Sequence, residues 1–143
     1  MTIHFYKQNE EYGYLSNFSH YGFVLDGLYW PTSEHYFQAQ KFLDRSLGES
    51  IRQADSPMDA ARMGRNRDWP LRKDWDSVRC DVMRRGLLAK FSQNHDILER
   101  LLSTAGEALI EDTKDDYYWG CGNDGTGDNN LGKILMQVRG MLG

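Results

Sequence analysis

Cysteine is scarce in this 143-residue sequence, and long apolar runs are missing from it. Its two cysteines, Cys80 and Cys121, are too few for a disulfide framework and do not form a Cys-x-x-Cys pair. No stretch approaches the roughly twenty apolar residues that a membrane-spanning helix requires. The N-terminal residues alternate polar and apolar side chains, without the basic start and apolar run of a signal peptide. We therefore expect a protein of the reducing cytoplasm that does not enter membranes.

Positive charge is also in deficit, because the formal net charge is -4. Such a chain has no overall basic field with which to hold long nucleic acid by counterion release, so any anion must bind locally. The length is typical of one domain, and we expect residues 1–143 to form a single domain around one core. Aromatic residues make up 13% of the chain, which favours a pocket for a planar ligand but equally fits aromatic packing in the core.

Several catalytic signatures are absent. The four histidines and two cysteines show no metal-ligand spacing, so we expect no metal site. There is no Gly-x-Ser-x-Gly elbow and no Gly-Lys-Ser/Thr phosphate loop, which excludes the esterases and nucleotide triphosphatases that use them. Gly120, Gly122 and Gly125 match Gly-x-Gly-x-x-Gly, but no alternation of strands and helices surrounds them. A dinucleotide-binding fold is therefore not expected.

The remaining pattern predicts a small α+β fold with about five helices and a few short antiparallel strands. Asp26-Gly27 lies between two short apolar runs and predicts a β-hairpin over residues 23–30. A strand over residues 3–6 is expected to pair with this hairpin, and another strand is predicted over residues 108–111. Helices are predicted over residues 33–44, 56–64, 75–91, 94–105 and 131–142, from apolar spacing and capping residues.

The segment Trp30–Phe42 carries polar residues that a core does not require. Glu34, Gln38 and Lys41 recur at i, i+4 and i+7, which places a carboxylate, an amide and an amine on one face of the predicted helix. From spacing alone, the commoner interpretation is a solvated surface on which Glu34 and Lys41 favour opposite ends of the helix dipole. The alternative interpretation is a group of catalytic side chains.

Two further stretches favour phosphate or ribose as ligand. Arg65 and Arg72 offer planar guanidinium groups for a phosphate, and Trp75 offers a surface for a base, although charge runs are usually solvated. The Gly-rich stretch Trp119–Gly132 runs into a predicted helix N-terminus. Its backbone amides over residues 125–129 are expected to meet the phosphate there.

Taken together, these stretches resemble the NADAR family of YbiA-like proteins over almost the whole chain, and the chain looks closest to the bacterial YbiA branch. The matching residues are Ser16-Asn17-Phe18, Trp30 to Phe42, Ser56-Pro57, Ala60 to Asn66, Pro70-Leu71-Arg72, Trp75, Met83, Lys90-Phe91, Trp119-Gly120, Gly122, Gly125, Gly127, Asn129, Leu131-Gly132 and Leu135-Met136. Agreement in runs of this length is specific to the family.

The resemblance implies a small α+β fold and N-glycosidase activity on compounds related to ADP-ribose or ribose 5-phosphate, with no metal or organic cofactor. Members are associated with cleavage of phosphoribosylamino intermediates of early riboflavin synthesis, and others with removal of ADP-ribose from guanine. We expect the first class, a small molecule bearing ribose phosphate, and nucleic acid as a partner only in the second. A non-catalytic sensor of ADP-ribose or a related nucleotide is the remaining alternative.

Cleavage of a C1′–N bond requires negative charge near C1′, an activated water and help for the departing nitrogen. Glu34 is the candidate for the first two tasks, and Lys41 is an alternative that would attack C1′ of a ring-opened sugar to form an imine. YbiA-like sequences often carry an acidic residue where this chain has Cys121, so Asp124 or Asp128 would have to supply a second carboxylate. The expected substrate-binding residues are Asn17, Phe18, Arg65, Arg72, Trp75, Trp119, Gly125, Gly127 and Asn129.

Overall fold

The computed structural model describes all residues, 1–143, as an α+β fold. The helices are α1 (Ser33–Ala39), α2 (Arg45–Arg52), α3 (Pro57–Gly64), α4 (Trp75–Gln93), α5 (His95–Ser103) and α6 (Asn130–Leu142). The strands are β1 (Thr2–Phe5), β2 (Phe23–Leu25), β3 (Leu28–Trp30) and β4 (Ala108–Glu111), and Gly13–Leu15 form one turn of 3₁₀ helix. None of the helices combines the length and hydrophobicity needed to span a membrane.

β2 and β3 form the predicted hairpin as an antiparallel pair. Asp26 and Gly27 make its turn with φ angles of 55° and 77°. Two successive left-handed residues give a turn whose twist matches that of the strands it joins. The Gln93 side chain closes the free edge, since it bonds to both the N–H and the C=O of Val24 at 2.8 Å.

The N-terminal strand does not join the hairpin, so this part of the prediction was wrong. β1 pairs in parallel with β4, and Ile3 lies opposite Leu109. A parallel pair requires a long connection, which the chain provides by forming α1 to α5 between the two strands. Ile3, Phe5 and Leu109 are buried, so the parallel pairing covers their apolar side chains. The edge of the hairpin at Val24 is instead occupied by the side chain of Gln93.

Helix α1 ends at Ala39, although the spacing predicts a helix as far as Asp44. The backbone N–H of Arg72 donates to the carbonyl of Lys41 at 2.9 Å, and its guanidinium donates to that of Gln40 at 3.4 Å. These bonds satisfy carbonyls at the helix end from outside the helix. Lys41 therefore lies on an irregular segment just beyond α1.

Helices α2 and α3 differ in how clearly the sequence predicts them. α3 begins as expected, because Ser56 accepts a hydrogen bond from the Asp59 N–H at 3.0 Å and Pro57 occupies the first position. α2 is missing from the prediction, because its apolar face consists only of Leu47 and Ile51, one helical turn apart, with Gly48 between them. Its one clear sequence signal is the N-cap Asp44.

Helix α4 packs against α1, α5, α6 and β2 and is the centre of the fold. Leu87 and Phe91 are fully buried on it, and Gly86 lets the ring of Tyr36 approach its backbone closely. The predicted bounds of α4, α5 and α6 agree with the structure to within two residues at each end. Long helices with a periodic apolar face are thus the best predicted elements.

Gly64 marks a close approach of α3 to α1. A Cβ at this position would overlap the side chain of Gln38, which is buried and bonded to Glu34. We expect Gly64→Ala to lower the free energy of unfolding by about 1–3 kcal/mol, because the overlap is relieved only by moving a helix or that side chain. Chemical denaturation measures the change.

Gly140→Ala on α6 is the matched control, because its Cβ meets no atom within 4 Å. Alanine there is expected to raise the free energy of unfolding by about 0.5–1 kcal/mol, as in an open helix. If Gly64→Ala were as stable as the wild type, α1 and α3 would not be as tightly packed as described.

Candidate active site

A cavity of about 780 Å³ lies between α1, α3, α4 and the end of β4. It brings together six of the sequence-predicted site residues: Asn17, Phe18, Glu34, Lys41, Arg65 and Trp119. It also contains Glu111, which the sequence did not predict as a site residue. Predicted residues from four separate parts of the chain therefore meet in one place.

Glu34 lines this cavity from α1 and is only 7% exposed. The Gln38 amide donates to its Oε2 at 2.7 Å. Burial raises the pKa of Glu34, while the bond from Gln38 and the charges of Lys41 and Arg65 act to lower it. Because its pKa is raised towards neutrality, this carboxyl group exchanges a proton more readily at neutral pH than an exposed one.

The same amide of Gln38 also carries a buried acceptor without a partner. Its Oε1 has no hydrogen-bond partner in the protein, although its Nε2 is committed to Glu34. This oxygen is enclosed beside Gly64, where a Cβ would overlap it. Buried polar atoms are almost always paired, so Oε1 is an exception within the contact between α1 and α3.

Lys41 is half-buried beside Glu34. Its Nζ donates to the Gly64 carbonyl at 3.3 Å and lies 5.9 Å from the ring centre of Phe37. Burial lowers the pKa of Lys41, the charge of Glu34 acts to raise it, and the charge of Arg65 lowers it further. Lys41 forms no direct ion pair with Glu34. Its amine is thus close to a carboxyl group and more easily deprotonated than an exposed lysine.

Lys90 fixes the segment 16–19, which forms one wall of the cavity. This lysine is fully buried, and its Nζ donates to the carbonyls of Tyr14 and Ser16 at 2.7 and 3.0 Å and to Ser19 Oγ at 3.0 Å. Burial lowers the pKa of Lys90 to about 7. Three acceptors on one amine hold this segment firmly against α4.

Asn17 connects that segment to the start of α1. Its carbonyl accepts from the Glu34 N–H at 3.1 Å, and its Oδ1 accepts from Ser33 Oγ at 2.8 Å. Its amide donates to the sulfur of Met83 at 3.5 Å, and Phe18 beside it is half-buried in the cavity wall. Asn17 therefore helps to position Glu34 as well as lining the cavity.

The two candidate tryptophans take different places around Phe37. Trp119 packs edge-to-face on Phe37 at 5.3 Å between ring centres, is half-buried and lines the large cavity. Trp75 packs on the same ring at 5.1 Å, is only 6% exposed and does not line the large cavity. Trp119 thus offers an aromatic surface to a ligand in the large cavity, whereas Trp75 is largely buried and does not.

The Gly-rich loop does not form the phosphate cradle that the sequence predicts. The amides of Gly125, Gly127 and Asn129 donate to the carbonyls of Gly122, Cys121 and Gly120, at 3.4, 2.6 and 3.0 Å. These three residues also do not line the large cavity. These backbone amides donate to carbonyls within the loop itself, so they are not free to bind phosphate.

Asn129 and Asp124 have structural roles in this loop. Asn129 adopts φ 52°, and its side chain bonds to the Leu109 carbonyl and the Glu111 N–H, both at 2.9 Å. Asp124 is exposed and accepts from the N–H and Oγ1 of Thr126 at 3.1 and 2.7 Å, bonds that lower its pKa. The structure therefore does not bring Asp124 to the cavity as a second carboxylate.

Arg72 also does not line the large cavity. Its guanidinium bonds to both oxygens of Asp74, at 2.6 and 3.0 Å, and the hydrogen bond with Asp74 raises its pKa. Its bonds to the carbonyls of Gln40 and Lys41 complete its contacts. Arg72 therefore fixes the backbone of Lys41 and is not available to a phosphate.

Glu111 is the acidic cavity residue that the sequence did not predict. Its side chain lines the large cavity, and its Oε2 is buried without a hydrogen-bond partner. Burial raises the pKa of Glu111 to about 7; the Thr113 hydroxyl acts to lower it, and the charges of Asp116 and Glu34 raise it. The only signal in the sequence is an acidic residue at the end of a predicted strand. Because residues 111–116 are mostly acidic, composition predicts a solvated loop there and does not single out Glu111.

A second cavity of about 330 Å³ adjoins the first and shares Lys41 and Arg65 with it. Its lining residues are Lys41, Phe42, Gly64, Arg65, Asn66, Arg67, Trp69, Leu71 and Trp75. They include three cations and no carboxylate. Arg65 and Arg67 form no salt bridge, whereas six other arginines do. This cation-lined cavity therefore suits an anionic group.

Together these features define a class: a small α+β protein with three carboxyl groups (Glu34, Glu111 and Asp116) and the Lys41 amine in one cavity and a cation-lined cavity beside it. No three His, Cys, Asp or Glu side chains are grouped so as to hold a metal ion. Carboxyl groups and an amine in one cavity are able to transfer protons, and the amine is able to act as a nucleophile.

Residues 4–143 match the NADAR domain, and the chain belongs to this family. It is 54% identical over 140 residues to the N-glycosidase YbiA of Shigella boydii, covering 98% of this chain and 88% of that protein. The NMR structure of Escherichia coli YbiA matches with a TM-score of 0.91 at 52% identity, over 99% of this chain and 84% of that one. A riboflavin biosynthesis protein of Vibrio vulnificus is 42% identical over 137 residues, which are 96% of this chain but 37% of that protein.

Proposed function

We propose that this chain hydrolyses the C1′–N bond of a phosphoribosylamino compound of the kind formed early in riboflavin synthesis. It is a hydrolase that acts on N-glycosyl compounds, the class that the names of its relatives state, rather than a non-catalytic sensor. The name of the Vibrio vulnificus relative supports the riboflavin context. One observation carries the choice of substrate: Glu34 and Lys41 share a cavity that adjoins a cation-lined one.

Glu34 has the position to oppose the positive charge that develops at C1′ as the C1′–N bond breaks. The charges of Lys41 and Arg65 and the bond from Gln38 favour its ionised form against the effect of burial. As a carboxylate it also accepts the proton that an attacking nucleophile must lose. Glu34 is therefore able to stabilise the positive charge at C1′ and to act as the base from the same position.

Lys41 is the nucleophile in the mechanism that we propose. Its amine attacks C1 of the ring-opened sugar, the original nitrogen leaves as a free amine, and an imine between Lys41 and C1 remains. Water then adds to this imine and releases ribose 5-phosphate and the free lysine. The lowered pKa of Lys41 and the absence of a direct ion pair with Glu34 both support this role.

The phosphate of the substrate fits the smaller cavity. In ribose 5-phosphate the phosphate and C1 lie at opposite ends of the sugar, and Lys41 and Arg65 lie on the boundary between the two cavities. A phosphate beside Arg65 and Arg67 would therefore leave C1 in the large cavity with Glu34. Trp119 then suits the base.

Arg65→Ala and Arg67→Ala are each expected to raise KM about tenfold or more for a phosphoribosylamino pyrimidine, since each removes a charged donor to phosphate. The same variants should leave KM unchanged for the dephosphorylated riboside. Steady-state kinetics on the two substrates measures the difference. Arg62→Ala is the control, because Arg62 is exposed and pairs with Asp59. Equal effects on both substrates would show that these arginines support the fold and not the phosphate.

A further inference from the structure

We propose that Glu111 is the catalytic acid that protonates the nitrogen leaving C1. This inference rests on the proposed N-glycosidase function and adds a residue to it. The proton on the Glu111 carboxyl moves to the departing nitrogen, the electron pair of the C1–N bond goes to that nitrogen, and the base leaves as a neutral amine. Water then supplies its oxygen to C1 and, through its proton, restores the acid form of Glu111.

The backbone around Glu111 directs its side chain into the cavity. Its N–H donates to Asn129 Oδ1 at 2.9 Å, and its carbonyl accepts from the Cys121 N–H at 3.0 Å. It also pairs with Phe5 at the end of the parallel ladder. Main-chain bonds on both sides thus hold the residue, while its enclosed Oε2 is left without a hydrogen-bond partner. The side chain lines the cavity, so the carboxyl group is in reach of a ligand there.

The surroundings of Glu111 favour its protonated form. The enclosed Oε2 has no donor to stabilise a negative charge, and the carboxyl groups of Asp116 and Glu34 repel one. The Thr113 hydroxyl opposes these effects only in part, and burial brings the pKa of Glu111 to about 7. The cations Lys7, Lys41 and Arg65 line other parts of the same cavity.

The other two carboxyl groups of the cavity are less suited to act as the acid. Asp116 Oδ1 accepts from the backbone amides of Tyr118 and Trp119 at 3.0 and 2.8 Å, so this oxygen is committed to the loop. Burial raises the pKa of both Glu34 and Glu111. Glu34 Oε2 accepts a hydrogen bond from Gln38 at 2.7 Å, which favours a carboxylate, whereas Glu111 Oε2 accepts none. This difference in partners assigns Glu111 as the acid and Glu34 as the base.

A series of leaving groups tests the role of Glu111. N-aryl glycosylamines of ribose 5-phosphate, with anilines of decreasing basicity, depend less and less on protonation of the departing nitrogen. We expect Glu111→Gln to lower kcat about a hundredfold for the most basic aniline and to approach the wild-type rate for the least basic one. Glu34→Gln should instead lower kcat for every member of the series.

Glu111→Gln is expected to fold, because glutamine keeps the size of the side chain and an acceptor oxygen for the Thr113 hydroxyl. The control is Asp115→Asn, an exposed carboxylate of the same loop outside the cavity. In the wild type, kcat should fall as pH rises through about 7, and this alkaline limb should move in Glu111→Asp and vanish in Glu111→Gln.

Two outcomes would overturn the assignment of Glu111. One is a loss of rate in Glu111→Gln that is equal for all anilines, and the other is an alkaline limb that persists unchanged in both variants. The proposed N-glycosidase function fails separately, if the wild type releases no aniline and no phosphoribosylamino pyrimidine is cleaved. Wild-type turnover with either outcome above would refute only the role of Glu111.

Discussion

Glu34→Gln is expected to lower kcat by about a hundredfold or more while the fold is retained. The substitution keeps the size of the side chain but removes the negative charge that opposes positive charge at C1. It also removes the base that accepts a proton from the nucleophile. Steady-state kinetics with a phosphoribosylamino pyrimidine measures the loss, and Glu99→Gln on the exposed face of α5 is the control.

The stability of Glu34→Gln separates a catalytic effect from a folding defect. Folding raises the pKa of Glu34, so the folded state binds its proton more tightly than the unfolded state does. The free energy of unfolding of the wild type therefore falls as pH rises through that raised pKa. Glutamine lacks this dependence, and the variant should be at least as stable as the wild type at pH 8. A variant that keeps more than half of wild-type turnover would remove Glu34 from the chemistry.

Lys41→Arg is expected to abolish measurable turnover, a loss of at least about a thousandfold, even though it preserves the positive charge. Arginine stays protonated because its pKa lies above about 12, so it cannot attack C1 as a neutral amine. The exposed Lys73→Arg is the control, because it lies outside both cavities. Retention of a sizeable part of the activity in Lys41→Arg would show that the lysine only binds substrate.

Borohydride added during turnover gives the second measurement on Lys41. Reduction of the imine should leave ribose phosphate covalently attached to the peptide that contains Lys41, and mass spectrometry would detect it. No adduct should form in Lys41→Arg. If the fully active wild type gave no adduct either, Glu34 with an activated water would carry the reaction.

The residues of the cavity that could be predicted from the sequence are those on a regular helix or in a specific motif. Glu34 and Gln38 follow the spacing of α1, and they face one cavity as that spacing predicts. Lys41 reaches the same cavity for a different reason, since α1 has ended and Arg72 holds its backbone. The bonds from Arg72 to the carbonyls of Gln40 and Lys41 are long-range, so local sequence could not reveal that it fixes the backbone of Lys41. Its pair with Asp74 is local and was the one available signal.

The Gly-rich loop shows a second limit of sequence reasoning. Glycines before a helix fit a phosphate cradle, but they fit equally a loop that folds back on itself and uses its own carbonyls. In the structure the loop folds back and its amides bond to its own carbonyls. Asp124 is then exposed to solvent, and Trp119 lines the cavity. Which carbonyls receive those amides depends on tertiary contacts that local composition does not contain.

Glu111 illustrates why burial is the hardest property to predict for a charged residue. Its neighbours in the acidic stretch 111–116 are mainly exposed, so composition predicts a solvated carboxylate. The parallel pairing of β1 with β4, which was itself not predicted, places the end of β4 beside α1. Because the predicted pairing of the N-terminal strand was wrong, Glu111 could not be recognised as a candidate catalytic residue from the sequence.

The most direct test of the function is product analysis with the wild-type protein and a phosphoribosylamino pyrimidine of early riboflavin synthesis. Chromatography with mass spectrometry should find free pyrimidine and ribose 5-phosphate in equal amounts, formed in proportion to enzyme and lost in Glu34→Gln. Saturable binding without release of either product, or release of guanosine and ADP-ribose from ADP-ribosylated guanosine in preference to this reaction, would contradict it.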